Sequence, residues 1–463
     1  MAKSSFSSRA GLIAATVGSA VGLGNIWRFP AEVHEGGGAV FLFLYIICVA
    51  LLGIPVMMSE FSLGRAGHSD AVGAFRNIAP RSHWWIFGAL AVLTSYLILC
   101  YYMVVAGWTL EYLYESLTGN LFAGIVPGNI EEGFSAKMET YISSDWTPLL
   151  FTWILILLNG AVLIGGVNAG IERISRLLMP LLFILLVTLA IVALSMPGAG
   201  KGLQYFFAPD FSKISPGLIV NVLGQAFFSL SLGMGILVTY SAYFPKSTNL
   251  GSTSVTISGL DLLVAVMMGV IIFPAVATFG LDSADIRGTT LVFVTLPEVF
   301  AMLPGSSLWA ILFFTLLLVA ALTSTISIAE VSVAFVHDRF HKSRRTAVAI
   351  VLLPLFVFSS LCSLSFGSLS GIKIFGLSFF NLLDTVTTNY LLPVVSLGIC
   401  LFIGWFAPKD LFRSELQGSR SSASLSDRIV MAIVRYIAPF ANSRTSCENS
   451  AYRSLHLISG GDA

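Results

Sequence analysis

A chain of 463 residues that is 56% hydrophobic and only 11% charged lies far below the roughly 25% charge of a soluble domain. Apolar runs of about 20 residues, long enough to cross a bilayer, recur from end to end, which excludes a soluble enzyme and defines an all-α polytopic membrane protein. The net charge of +1 says nothing about partners, whereas the placement of the charges does. Expected spans cover residues 10–29, 39–61, 84–114, 147–166, 174–195, 216–243, 253–280, 306–338, 346–366 and 375–406. No small-residue cleavage site follows the first, so it reads as a retained span.

With these spans, Lys3, Arg9, Arg65, Arg76, Arg81, Arg173, Arg176, Lys246, Arg339, Lys342, Arg344, Arg345, Lys409 and Arg413 fall on one side. The other side holds mainly the acids Glu115, Glu131, Glu132, Asp145, Asp210, Asp282, Asp285 and Glu298. The positive-inside rule then puts the N-terminus in the cytoplasm. No Asn-x-Ser/Thr sequon occurs, in keeping with a bacterial inner membrane. Cys48, Cys100, Cys362 and Cys400 lie in apolar runs and Cys447 in the tail, so neither a disulfide framework nor metal-ligand spacing is expected.

The first span breaks its own pattern. The apolar run Gly11–Val21 meets Gly22 and Gly24 while still at hydrocarbon depth, and Asn25 and Arg28 follow. Glycine loosens the helix, and the freed carbonyls need partners in protein, water or a bound ion. In the third span, Tyr101 and Tyr102 stand among aliphatics, where each hydroxyl needs a partner; a substrate carboxylate or a backbone carbonyl would serve. The outer loop 116–146 is polar and acidic. A second, 281–305, contains the apolar Leu291–Leu296 and reads as a packed lid.

The sixth span repeats the interruption at Ser229-Leu230-Ser231-Leu232-Gly233-Met234-Gly235. It opens a second set of five spans, and an odd number per set gives the two halves opposite orientations. Paired interrupted helices in inverted halves point to a secondary transporter with its site at the midplane. Asp261, in the seventh span, is costly in hydrocarbon unless paired or facing a cavity, and reads as functional. Glu60 and Glu330 lie nearer the ends of their spans, with open roles. Thr323 and Ser324 of the eighth span offer oxygens for an ion, although such hydroxyls also bond back to their own helix. After residue 407 the chain turns polar and Ser-rich, then carries a short apolar segment, 427–441, that fits an interfacial or incomplete eleventh helix before a disordered tail.

Gly18–Pro30 followed by Glu35–Ala39, Gly53-Ile54-Pro55, Glu60–Arg65, Ser229–Gly235 with Thr239-Tyr240, and Ala320–Ser324 resemble the signatures of the neurotransmitter:sodium symporters, most closely their bacterial amino-acid branch. The resemblance runs to about residue 407. It implies the leucine-transporter-type 5+5 inverted repeat, with a cytoplasmic segment 1–9, repeats at 10–196 and 197–407, and an appended 408–463. It implies one sodium ion held by Ala20, Asn25, Ser229, Asp261 and the substrate carboxylate, and a second held by Gly18, Val21, Ala320, Thr323 and Ser324. The substrate would lie among Ser19, Ala20, Gly22, Gly24, Ile98, Tyr102, Phe228, Ser231, Met234, Ser324 and Ile328. Arg28 and Asp384 would form an outer gate, and Arg9, Tyr240 and Asp338 an inner one, with Lys3 and Phe6 nearby.

Two departures bear on the ligand. Gly22 stands where monoamine carriers of that family place an aspartate, so the ligand must bring its own carboxylate. Asp261 stands where many members have asparagine, and Ala265 where chloride-dependent members use serine. A fixed carboxylate there would supply the charge chloride gives elsewhere. The expectation is chloride-independent, sodium-coupled import of neutral hydrophobic or aromatic L-amino acids. Met234 between glycines suggests a roomy pocket. A carrier for small neutral amino acids and a non-transporting sensor of the same fold are the alternatives. No nucleophile–base constellation suggests an enzyme, and no basic patch suggests nucleic acid.

Overall fold

The computed structural model describes residue 6 and residues 8–125, 130–280, 288–408, 410–417 and 425–439. The first expected span is two helices, α1 (Arg9–Ala20) and α2 (Gly24–Glu35), bent by 52° at the break between them. Ser8 caps α1 by accepting the Gly11 N–H at 3.0 Å, and the chain leaves the helix at Val21, which is extended. Then come α3 (Ala39–Gly67), α4 (Ala71–Ile78), α5 (Trp85–Thr118), α6 (Ile130–Ser143), α7 (Thr147–Ile164), α8 (Ala169–Leu194) and α9 (Ala199–Phe207).

The second set begins with another interrupted span, α10 (Pro216–Ser229) and α11 (Ile236–Ser241). Ser231, Gly233 and Gly235 between them have φ of 56°, 77° and 73°, a left-handed conformation that no helix can continue through. A Cβ on Gly233 would also sit 2.5 Å from the Leu392 carbonyl oxygen, so glycine is required there twice over. α12 (Leu250–Phe279), α13 (Leu291–Ala301), α14 (Ser306–Phe340), α15 (Arg344–Leu364) and α16 (Phe379–Phe406) complete the set. Two short helices, α17 (Leu411–Gln417) and α18 (Leu425–Ala432), follow, and a wider turn, Ile433–Ile437, prolongs the latter.

Among the described residues eight unbroken helices are long and apolar enough to cross a bilayer, and the bent first pair makes a ninth. The expected sixth span, 216–243, is not a continuous helix, because residues 230–235 leave the α conformation. The first span runs on to Glu35 and the third to Thr118. Apolarity marks where lipid ends and not where the helix does, and the Arg28–Glu32 pair, one turn apart at 3.5 Å, supports the extension of α2.

α5 and α14 form the axis of the bundle, each with 72% of its most apolar window buried by protein, against 39% for the outward-facing α8. Helices meet closely through glycine. A Cβ on Gly64 of α3 would lie 2.0 Å from the Val238 carbonyl oxygen of α11, and one on Gly18 of α1 would lie 3.1 Å from Thr323 Cβ of α14. On the side away from the N-terminus, α13 folds the apolar run inward. Leu291, Val292 and Phe293 are fully buried, and Phe293 meets Trp108 at 5.8 Å and Tyr112 at 5.0 Å between ring centres. Asp282 and Asp285 of that loop lie outside the described residues.

On the N-terminal side, Asp70 caps α4 through the Val72 and Gly73 N–H groups at 2.9 and 3.2 Å. Burial raises its carboxyl above the ordinary range against the lowering effect of those bonds. Glu330, fully buried, takes a bidentate fork from Arg344, whose Nη1 lies 2.9 Å from Oε1 and whose Nη2 bonds Oε2; Arg344 Nε also donates to the Leu163 carbonyl at 2.8 Å. Cys48, Cys100, Cys362 and Cys400 are free thiols. Lys3, Lys409, Cys447 and the tail 442–463 lie outside the described residues.

Candidate substrate and ion site

The two breaks face each other and are bonded together. Ser231 donates its hydroxyl to the Ser19 carbonyl at 2.9 Å, joining the α10–α11 break to the end of α1. The Leu23 N–H, freed where α1 stops, donates to Tyr102 Oη of α5 at 2.9 Å. The Gly24 carbonyl accepts Gln225 Nε2 at 3.2 Å. Freed backbone groups thus find protein partners at membrane depth, as they must.

Asp261 anchors one side of this centre. It is fully buried, and these hydrogen-bond partners are neutral: Asn25 Nδ2 at 2.7 Å, Ser229 Oγ at 2.9 and 3.0 Å, and the Tyr45 hydroxyl at 3.2 Å. A buried carboxylate among neutral oxygens, with no arginine or lysine among these contacts, suits a small hard cation. Asn25 turns its amide oxygen toward the Gly22 N–H at 3.2 Å and its nitrogen toward Asp261. Its oxygen keeps a second lone pair with which it could ligate a cation. Ala20 ends α1, where the helical ladder leaves carbonyls without intrahelical donors.

The second oxygen cluster lies between α1 and α14. Ser324 Oγ donates to the Gly18 carbonyl at 3.4 Å, and Thr323 Oγ1 lies 3.1 Å from the Ala320 carbonyl. With Val21 extended at the close of α1, the set is two hydroxyls and backbone carbonyls, all neutral and hard. These donors fit sodium better than a softer or divalent metal.

The residues expected to surround the substrate are closely packed. Ser19, Ala20, Gly22, Gly24, Ile98, Tyr102, Ser231, Met234, Ser324 and Ile328 are buried, and Phe228 is half-buried. A Cβ on Gly22 would stand 2.4 Å from Ser324 Oγ and 2.8 Å from Tyr102 Oη; one on Gly24 would stand 2.9 Å from the Phe228 ring. The Met234 carbonyl accepts the Ser95 hydroxyl, which fixes the backbone on that wall.

The expected gates are arranged differently. Arg28 lies over the Phe228 ring, 4.7 Å from its centre, and forms its ion pair with Glu32; among the described residues no ion pair joins it to Asp384. An aromatic face and a carboxylate on its own helix occupy the guanidinium locally. Arg9 is exposed at the first turn of α1 and makes no ion pair with Asp338 among the described residues. One Asp338 oxygen accepts the Asp70 N–H at 3.1 Å. Tyr240 donates to Ser327 Oγ at 2.8 Å, and Phe6 packs its ring 6.1 Å from Tyr240.

Sequence reasoning passed over Tyr45, Gln225 and the role of Glu60, whose Oε1 accepts the Gly233 N–H at 2.7 Å and so holds the second break open. Gln225 was detectable, being a lone amide in an apolar span, as Asp261 was a lone acid. Tyr45 gave no such signal, since one hydroxyl barely alters the apolar character of an aromatic ring.

Two interrupted helices in inverted halves, cross-bonded around buried oxygen clusters, define a transporter of the leucine-transporter fold. The sequence matches the sodium:neurotransmitter symporter family over residues 3–125 and 135–445. The chain belongs to that family and is a multi-pass, sodium-dependent membrane transporter. It is 34% identical over 436 residues to the uncharacterised sodium-dependent transporter YhdH of Bacillus subtilis, covering 94% of this chain and 95% of the relative. It is also 34% identical over 446 residues to an uncharacterised sodium-dependent transporter of Haemophilus influenzae, with 94% and 96% covered. The solved structure of MhsT in complex with L-phenylalanine superposes with a TM-score of 0.88 at 39% identity, covering 96% of this chain and 99% of that one.

Proposed function

We propose that the protein imports neutral hydrophobic or aromatic L-amino acids together with sodium, by alternating access and without chloride, across a bacterial inner membrane with its N-terminus in the cytoplasm. The observation that carries the substrate class is that Gly22 bears no acid and has no room for one, since a Cβ there would stand 2.4 Å from Ser324 Oγ. Neither Gly22 nor Gly24 offers an acid to an amine, and the Tyr102 hydroxyl beside Gly22 can donate to a carboxylate while accepting the Leu23 N–H. The amino acid's carboxylate, Ala20, Asn25, Ser229 and Asp261 would surround one sodium. Gly18, Val21, Ala320, Thr323 and Ser324 would surround the other, across the α1–α14 contact. Phe228 and Met234 would border a large apolar side chain, and the likeness to a phenylalanine-bound protein supports that size class.

Sodium at the α1–α14 contact would hold those helices together, and its departure would release them; such coupling is typically about 1–3 kcal/mol. Competition of sodium-dependent binding by each of the twenty amino acids tests the substrate class. Phenylalanine, tyrosine, tryptophan and leucine should compete best, equally in chloride and gluconate. Preference for glycine or alanine, or loss of binding in gluconate, would refute the reading. Thr323→Ala with Ser324→Ala should weaken sodium activation by roughly 10-fold or more, since about 1.4 kcal/mol is one decade. Wild-type sodium affinity in that double variant would remove the second site.

A further inference from the structure

We propose that α17 is a strap which holds the wall of the cytoplasmic cavity closed against α1, so that its release shifts the transporter toward the inward-open state. This inference rests on the alternating-access reading and on the orientation proposed above.

Its centre is Arg65, in the last turn of α3. The side chain is only 3% exposed, yet its guanidinium is fully engaged by two segments distant in sequence. Nε donates to Glu415 Oε2 at 2.5 Å, Nη2 donates to the Glu415 backbone carbonyl, and Nη1 donates to the Thr248 carbonyl at 2.6 Å. A planar fork with donors in fixed directions suits such a three-way junction, and a lysine could not reproduce it. Glu415 is held in place by its own helix, because Phe412 and Leu416, one turn apart on α17, are both buried.

Thr248 is what gives this junction a consequence. It belongs to the connection between α11 and α12, and with Pro245, Ser247, Asn249 and Ser252 it lines a cavity of about 460 Å³. The facing wall is Phe6, Ser8, Arg9 and Leu12, the start of α1. Arg65 therefore ties one wall of this cavity to α3 and to the segment beyond α16, while the other wall belongs to the first broken helix. Opening to the cytoplasm requires those walls to part. The Glu415 carboxylate orients the guanidinium so that Nη1 meets the Thr248 carbonyl, and without that carboxylate the orientation, and with it the hold on the loop 245–249, is loosened.

The test is the rate at which a single cysteine, Leu12→Cys, on the α1 wall of the cavity and only 2% exposed, reacts with a membrane-impermeant thiol reagent in inside-out vesicles of the full chain, with and without sodium. In sodium-free medium, Glu415→Gln should raise that rate at least about fivefold, the lower end of usual coupling. Arg65→Lys and Phe412→Ala should act in the same direction. Sodium-dependent amino-acid binding at saturating sodium reports that each variant is folded. Equal rates in wild type and in the folded variants, or slower ones in the variants, overturn the strap. The sodium response of the wild type checks alternating access separately: a rate indifferent to sodium refutes that reading, while the strap is still decided by the difference between variant and wild type.

Discussion

Asp261→Asn should reduce sodium-driven uptake by about 100-fold or more at physiological sodium. The buried carboxylate faces only neutral partners, so its charge is available to a bound cation. Removing one member of a buried charge pair costs about 3–5 kcal/mol. Asparagine keeps the shape and can still meet Ser229 and Tyr45, so the fold should survive. The informative arm adds chloride. If a carboxylate supplies the negative charge that an anion provides elsewhere, the variant should regain part of its uptake in chloride over gluconate, while the wild type is indifferent. Wild-type uptake in the variant would show that Asp261 is a structural acid only.

The second large effect concerns stability. Gly64→Ala puts a methyl group 2.0 Å from the Val238 carbonyl oxygen, a backbone atom that no rotamer change can move aside. Overpacking of this kind costs typically about 1–3 kcal/mol and occasionally more, and a contact with backbone belongs at the upper end. The variant should show a clearly lowered thermal midpoint and a shrunken monodisperse fraction in detergent. Gly259→Ala, on α12 with open space around it, is the matched control and should leave both unchanged. Equal behaviour of the two variants would mean that α3 and α11 are free to separate.

Both positions bear on how far the chain could be read from residues alone. The breaks were legible because glycine doublets interrupt otherwise uniform apolar runs, and the inverted repeat followed from their spacing. That Asp261 would be buried with polar partners was legible, because an acid in hydrocarbon needs them. The partners of Arg28 were not, since what a charge pairs with depends on what else it can reach, and Arg28 had Phe228 and Glu32 at hand. The stretch 411–426, read as a polar linker, contains α17 because two apolar residues at helical spacing, Phe412 and Leu416, suffice to seat a short helix against a bundle. Two residues in a Ser-rich stretch give no periodicity to detect. The tight approach at Gly64 was equally silent, as nothing in a glycine announces which neighbour it admits.

The bond from Ser231 to the Ser19 carbonyl has a mechanical meaning. Ser231 holds a left-handed φ of 56°, a conformation that strains a side chain bearing a Cβ, and its hydroxyl reaches across to the other half of the molecule. The two interruptions are therefore joined directly, with the Asn25–Ser229 bond at 3.0 Å as a second tie, and the repeats share a hinge between them. A rotation of α1 about its break loads the peptide at Ser231 through that residue's own hydroxyl, with no loop in between. Symmetry in the chain has been converted into a common axle.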